Sequence, residues 1–227
     1  MKTIARVRSD FKSKFGIPRQ SNLVPELVAY IVFEPEYQNP DAIRGLEEYS
    51  HLWLIWEFSE NVGADWSPTV RPPRLGGNTR MGVFATRSPF RPNPIGLSSV
   101  KLEEIISTRE NGMVLKISGA DLLNGTPIYD IKPYIPYSDT HADAKGGFAA
   151  DHMDDKLKVV IPEEYEKLIA KEKLSALRKV LELDPRPSYH TDEQRVYGMS
   201  FAEYEVRFRV ERQVLNVTEI TEQGKEL

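Results

Sequence analysis

The chain contains no cysteine. Disulfides, thiolate catalysis and cysteine-ligated zinc or iron–sulfur centres are therefore excluded. Histidine is scarce, with four in 227 residues, and His51, His141, His152 and His190 match no metal-ligand spacing. His51 opens an apolar run and reads as structural. His141 and His152 lie among Asp143, Asp151, Asp154 and Asp155, a set better read as a solvated linker than as a metal site. There is no G-x-S-x-G elbow, no G-x-G-x-x-G fingerprint and no G-x-x-x-x-G-K-[ST] loop. A serine-triad hydrolase, a Rossmann site and a Walker loop are accordingly not expected. No apolar run approaches the roughly 18 residues of a spanning helix, and the opening MKTIARVRSDFKSKFG lacks the apolar region of a signal peptide. A soluble, cytoplasmic protein without a metal is the expectation, with room for one large domain and a small appendage.

What is present is unevenly distributed. Residues 71–101, RPPRLGGNTRMGVFATRSPFRPNPIGLSSVK, carry Arg71, Arg74, Arg80, Arg87, Arg91 and Lys101 and no acid, a formal charge of +6. The whole chain is −4, so the other 196 residues carry −10. A basic run in an acidic protein implies a local anionic partner. Prolines at 72, 73, 89, 92 and 94 keep most of the stretch out of helix, and only Met81–Thr86 and the run from Leu97 have strand character. Stiff arginine-bearing loops mounted on strands suit binding or catalysis.

Along the chain, Thr3–Arg8, Leu27–Phe33, His51–Phe58, Leu97–Ile106, Met113–Ile117 and Pro127–Ile135 read as further strands, and Pro40–Leu46 as a short helical turn. Seven short strands with Asn111-Gly112 and Asn124-Gly125 turns predict a mainly β barrel or sandwich over 1–137. Residues 138–155 are small, polar and acidic and read as a linker. From 156 to 227 the pattern predicts a small α+β unit: a helix over about 163–183, ended by Asp184-Pro185, then a hairpin of Tyr204–Val210 and Val214–Val217.

Two further features carry chemistry. In DLLNGTPIYDIKPY (121–134), strict alternation would put Ile128, Asp130, Lys132 and Tyr134 on one strand face. The bland alternative is an exposed salt-bridging face. Trp53 and Trp56, with Tyr49 and Phe58, are core candidates, whereas Trp66 sits in a loop before the basic stretch and could stack on a base. The glycine-rich GGNTRMG at 76–82 fits no phosphate-loop pattern and could be a plain turn.

PRQ at 18–20, GLEEYSHLWLIWEF at 45–58, RPPRLGGNTRMGVFATRSPFRPNPIG at 71–96, the 121–134 stretch and DPRPSY at 184–189 together resemble the TsaA-like family of S-adenosylmethionine-dependent tRNA (adenine-37-N6)-methyltransferases. The resemblance implies a single-sheeted β-barrel catalytic domain, a small C-terminal domain, and a homodimer with cofactor sites near the subunit interface. It implies N6-methylation of threonylcarbamoyladenosine at position 37 of threonine-accepting tRNA, beside the anticodon. Carried onto this chain, it puts cofactor contacts at Pro18, Arg19, Gln20, Ser59, Glu60, Arg87, Leu97, Gly125, Thr126, Pro127 and Ile128.

Methyl transfer of this kind depends mainly on positioning the two reactants. The exocyclic amine is a poor nucleophile, so an acceptor for its N–H would help. Asn93 between Pro92 and Pro94 is the first candidate and Asp130, beside Lys132, the second. Arg71, Arg74 and Arg91 suit the carboxylate and phosphates of the substrate, and Tyr134 a splayed anticodon-loop base. Two alternatives stay open: a non-catalytic RNA- or nucleotide-binding barrel module, and a methyltransferase of small molecules.

Overall fold

The computed structural model describes residues 1–72, 75, 79–152, 156–187 and 192–223. In chain order the strands are β1 (Ala5–Arg8), β2 (Val28–Phe33), β3 (His51–Glu57), β4 (Thr69–Val70), β5 (Met81–Gly82), β6 (Ile95–Thr108), β7 (Gly112–Ser118), β8 (Pro127–Pro133), β9 (Lys158–Val160), β10 (Tyr197–Phe201), β11 (Tyr204–Glu211) and β12 (Val214–Glu222). Helices are few: α1 (Pro136–Asp139), α2 (Glu163–Glu166) and α3 (Lys171–Glu182), with short 3-10 turns between strands. The protein is mainly β.

Six strands form a large antiparallel sheet in the order β1-β2-β7-β6-β3-β8, and β8 pairs back onto β1 to close it into a barrel. Alternate residues point inward, as the two-residue period of a strand requires. Ala5, Val7, Ala29, Ile31, Leu52, Leu54, Leu115 and Ile117 fill the interior. The inward set is what the apolar alternation in these segments encodes.

The second sheet, β10-β11-β12-β9, is covered by α3. Ala176, Leu177, Val180 and Leu181 lie on one helical face and are buried. A separate core surrounds them, built from Phe201, Val206, Phe208, Val210, Leu215 and Val217. This second core also takes in residues from the other end of the chain. The loop joining β1 to β2 (residues 9–27) buries Phe11, Val24 and Leu27 there. The Phe11 ring meets Phe201 edge-on at 5.7 Å, and Phe15 stacks against Tyr197 at 6.4 Å. Lys173 pairs with Asp10, and Lys179 with Glu26 at 2.7 Å.

Several sequence expectations need correction. Met81–Thr86 is strand only at β5, because Val83–Ala85 turns into a 3-10 helix. Pro40–Leu46 is 3-10 rather than one helix, with Pro40–Ile43 and Leu46–Glu48 separated by Gly45 in a left-handed conformation. The predicted 163–183 helix is interrupted between Glu166 and Lys171, leaving Leu168 exposed and Ile169 buried. Tyr49 is exposed rather than core. The 121–134 face is also different. A register shift sets Trp56 opposite Ile128 and Ile55 opposite Asp130, skipping Tyr129. That bulge breaks the alternation, so Ile128 is wholly buried in the core while Asp130 and Lys132 form a solvent-facing ion pair at 2.9 Å.

Candidate functional site

A cavity of about 570 Å³ opens at one end of the large sheet, a volume suited to a cofactor-sized ligand. Five segments converge on it: the 9–27 loop, the end of β3 with the turn that follows, the 86–91 loop, the start of β6, and the loop before β8.

The floor is set by Trp56, Gly96, Ser98 and Asp121. Trp56 pairs with Gly96 across β3 and β6. A Cβ on Gly96 would lie 2.2 to 2.6 Å from the indole atoms, so only glycine lets the ring lie flat over β6. Trp56 Nε1 donates to Ser98 Oγ at 3.0 Å, and Ser98 Oγ donates to Asp121 Oδ1 at 2.6 Å. Burial pushes the Asp121 carboxyl above the usual carboxylate range, against the opposing pull of the Ser98 hydroxyl and of Arg87. Outside the lining, burial and a hydrogen bond to Glu57, which does line the cavity, push the Tyr129 phenol up to about 12.

The cations around the cavity are anchored. Arg87 Nη1 donates to Gln20 Oε1 at 2.5 Å. Arg91 Nη1 donates to the carbonyls of Thr86 and Ser88 and its guanidinium lies 6.0 Å from the Phe84 ring centroid. Lys14 bridges Glu60 and Asn61, at 3.1 Å each. Apolar side chains stand open at this end, with Phe84 74%, Phe90 47% and Leu97 49% exposed.

Of the residues that the resemblance implied for the cofactor, Pro18, Arg19, Gln20, Ser59, Glu60, Arg87, Leu97 and Thr126 line this cavity. Thr126 is buried, with its hydroxyl on the Leu123 carbonyl at 2.7 Å. Gly125, Pro127 and Ile128 adjoin that wall without lining it; Gly125 is exposed at the turn and Ile128 faces the core. Arg91 lines the cavity, and Asn93 is exposed two residues before Ile95 on its rim. Asp130, Lys132 and Tyr134 lie elsewhere, the Tyr134 ring against Trp53 at 5.6 Å. Arg71 is exposed, and Arg74 lies outside the described residues, as do Gly76, Gly77 and Asn78 of the glycine-rich turn. Trp66 is 52% exposed in its loop.

Sequence reasoning passed over Asp121, Ser98 and Trp56 as site residues. Asp121 had a readable signal, being the one acid that precedes the apolar pair and turn of DLLNGTP. Ser98 had none, since only the β3–β6 register brings it beneath Trp56.

Among the described residues no cluster of His, Asp and Glu is arranged to hold a metal, and no helix is long and apolar enough to cross a membrane.

Comparison with known proteins adds the family. Residues 6–140 match the model of the tRNA-methyltransferase O N-terminal domain and residues 154–223 that of the TrmO C-terminal domain. A tRNA (adenine(37)-N6)-methyltransferase of Escherichia coli is 43% identical over 215 residues, covering 91% of each chain. One of Eikenella corrodens is 47% identical over 173 residues, covering 72% of this chain and 92% of its own. The crystal structure of TrmO from Pseudomonas aeruginosa superposes with a TM-score of 0.75 at 33% identity, covering 96% of this chain and 97% of that one. With its cavity at one end of a large antiparallel sheet and both family domains matched along its length, the chain belongs to the tRNA-methyltransferase O family.

Proposed function

We propose that the protein is an S-adenosylmethionine-dependent tRNA (adenine-37-N6)-methyltransferase, acting on threonylcarbamoyladenosine in threonine-accepting tRNA. The observation that carries this reading is convergence. Eight side chains implied for the cofactor, from Pro18 to Thr126, meet in one cavity although they come from separate segments of the chain. The names of relatives support both the reaction and the cofactor.

The cavity suits the cofactor chemically. The bound cofactor would supply an electrophilic methyl group on a cationic sulfur. Leu97 and Phe90 offer apolar cover, and the Asp121 carboxylate a counter-charge held by Ser98. Pro18, Arg19 and Gln20 form one wall, Ser59 and Glu60 another, and Gly125, Thr126, Pro127 and Ile128 shape the turn behind them. Arg87 ties the first wall to the 86–91 loop through Gln20. Asn93 is the acceptor for the substrate N6–H. Asp130 stands lower in this scheme because Lys132 already engages it on the outer face. Arg71, Arg74 and Arg91 take the threonyl carboxylate and the phosphates of the anticodon loop, and Tyr134 is placed for a more distant base.

The same reading includes a cytoplasmic homodimer whose catalytic domain is the single-sheeted barrel and whose cofactor sites lie near the subunit interface. The exposed Phe84, Phe90 and Leu97 beside the cavity support an interface there. The domain scheme is 1–137 for the catalytic unit, 138–155 for the linker and 156–227 for the C-terminal unit.

The test is methyl transfer from labelled S-adenosylmethionine to threonine tRNA, with and without the threonylcarbamoyl group. Incorporation only into the modified tRNA is the expected result. Cofactor binding without incorporation into either tRNA would point to another acceptor, and no cofactor binding would favour the non-catalytic module.

A further inference from the structure

We propose that the C-terminal sheet is a positioning device for the cofactor loop, with Met199 of β10 as the contact through which it acts. The inference rests on the reading of the cavity as the cofactor site. The loop at 9–27 is long, and its pocket-facing part, Ile17 to Gln20, makes one wall of the cavity. A loop of this length, free to move, would hold that wall loosely and raise the entropic cost of ordering it around a ligand. Here it is fastened at both flanks.

On the side towards the large sheet, Asn22 N–H donates to the Gly119 carbonyl at 2.8 Å, and Asn22 Nδ2 to the Ser99 carbonyl at 3.1 Å. On the other side, Ser9 and Phe11 are bonded to Leu122 and Asn124 and Lys14 to Glu60 and Asn61, while the ring contacts all come from the C-terminal unit. Ala202 N–H donates to the Asp10 carbonyl at 2.7 Å, Phe11 abuts Phe201, and Phe15 stacks on Tyr197 and Phe208. Gly16, one residue before the cavity wall begins, is pressed against Met199. A Cβ there would lie 2.1 Å from the Met199 sulfur, and the backbone φ of +95° suits glycine alone. Met199 itself is buried and does not line the cavity. Its thioether therefore sets how far the loop can retreat from the ligand, without touching it. The C-terminal unit acts on affinity through this contact, while the residues that face the methyl acceptor lie on other segments.

The experiment uses the full-length protein with Met199→Ala and Met199→Leu. Cofactor affinity is read by isothermal titration with S-adenosylmethionine, turnover with saturating cofactor and modified threonine tRNA, and folding by thermal midpoint. Met199→Ala is expected to weaken cofactor binding about tenfold, since a loosened loop must be ordered again when the ligand binds. Turnover at saturation stays near wild type, and Met199→Leu restores the affinity. Should Met199→Ala prove too unstable to assay, Gly16→Ala displaces the loop from the other side and is expected to give the same affinity loss with turnover retained. A lowered midpoint with unchanged affinity in these variants would overturn the proposal and leave the sheet a purely stabilising role. Wild-type protein that fails to bind the cofactor would remove the reading of the cavity itself, a distinct result under which this proposal falls as well.

Discussion

Trp56, Ser98 and Asp121 form a relay in which one hydroxyl serves two neighbours. Ser98→Ala would leave the indole N–H and the carboxylate each short of a partner. A cost of about 1–3 kcal/mol is expected, measurable by denaturant unfolding. Gly96→Ala forces a methyl group into the indole and should cost about 1–3 kcal/mol through overpacking, together with cofactor affinity because the cavity floor must shift. Asp121 also gives a pH signature. Its folded-state pKa is raised by burial, so the folded chain holds that proton more tightly than the unfolded one. Stability from this group is greatest below the ordinary carboxylate range and declines as pH rises through the raised folded value. Asp121→Asn keeps an oxygen to accept from Ser98 and removes that decline. Unfolding free energy should then depend less on pH across this window, while cofactor binding weakens. At the cavity's other wall, Arg87→Ala should weaken cofactor binding, whereas Asn93→Ala should lower turnover with binding retained, a separation that titration and kinetics together report.

The strands of the large sheet were legible as short apolar and β-branched runs, and Ala5–Arg8, Val28–Phe33 and His51–Glu57 alternate buried with less buried residues as half-buried strands do. What escaped was every departure from regular periodicity. The bulge at Tyr129 adds a residue on one strand only, and composition carries no trace of it. The interruption before α3 lies between two helix-compatible runs, where residues 167–170 contain neither proline nor glycine. Strand β9 is three residues long and pairs in parallel with a partner more than fifty positions away, too short and too remote to leave a pattern. The basic 71–101 segment was legible as charge but not as geometry. Its Arg91 is tied to loop carbonyls and points into the cavity rim, whereas Arg71 remains exposed. If both contact phosphates, Arg71→Ala and Arg91→Ala should each reduce the logarithmic salt dependence of tRNA affinity by about one, read from binding isotherms at several ionic strengths.

Across the whole molecule, the described residues form two hydrophobic cores, and one of them joins distant parts of the chain. Phe11, Val24 and Leu27 precede most of the large sheet in sequence yet belong to the core of the small one. No local pattern announces this, because the contacts join positions nearly two hundred residues apart. Their arrangement also orders events during synthesis. The large sheet is complete once β8 has emerged, but the aromatic residues of the 9–27 loop must wait for β10 to β12. At ribosomal speeds of about 5–20 residues per second, that wait lasts on the order of ten to forty seconds after the loop itself is made. Through that interval the Phe11 and Phe15 rings lack the aromatic partners they have in the folded chain, Phe201, Tyr197 and Phe208. A stalled or truncated chain would carry a finished large sheet with an unfinished cavity wall, and under the proposed reading of that cavity the cofactor would gain its full site only with the last strands of the protein.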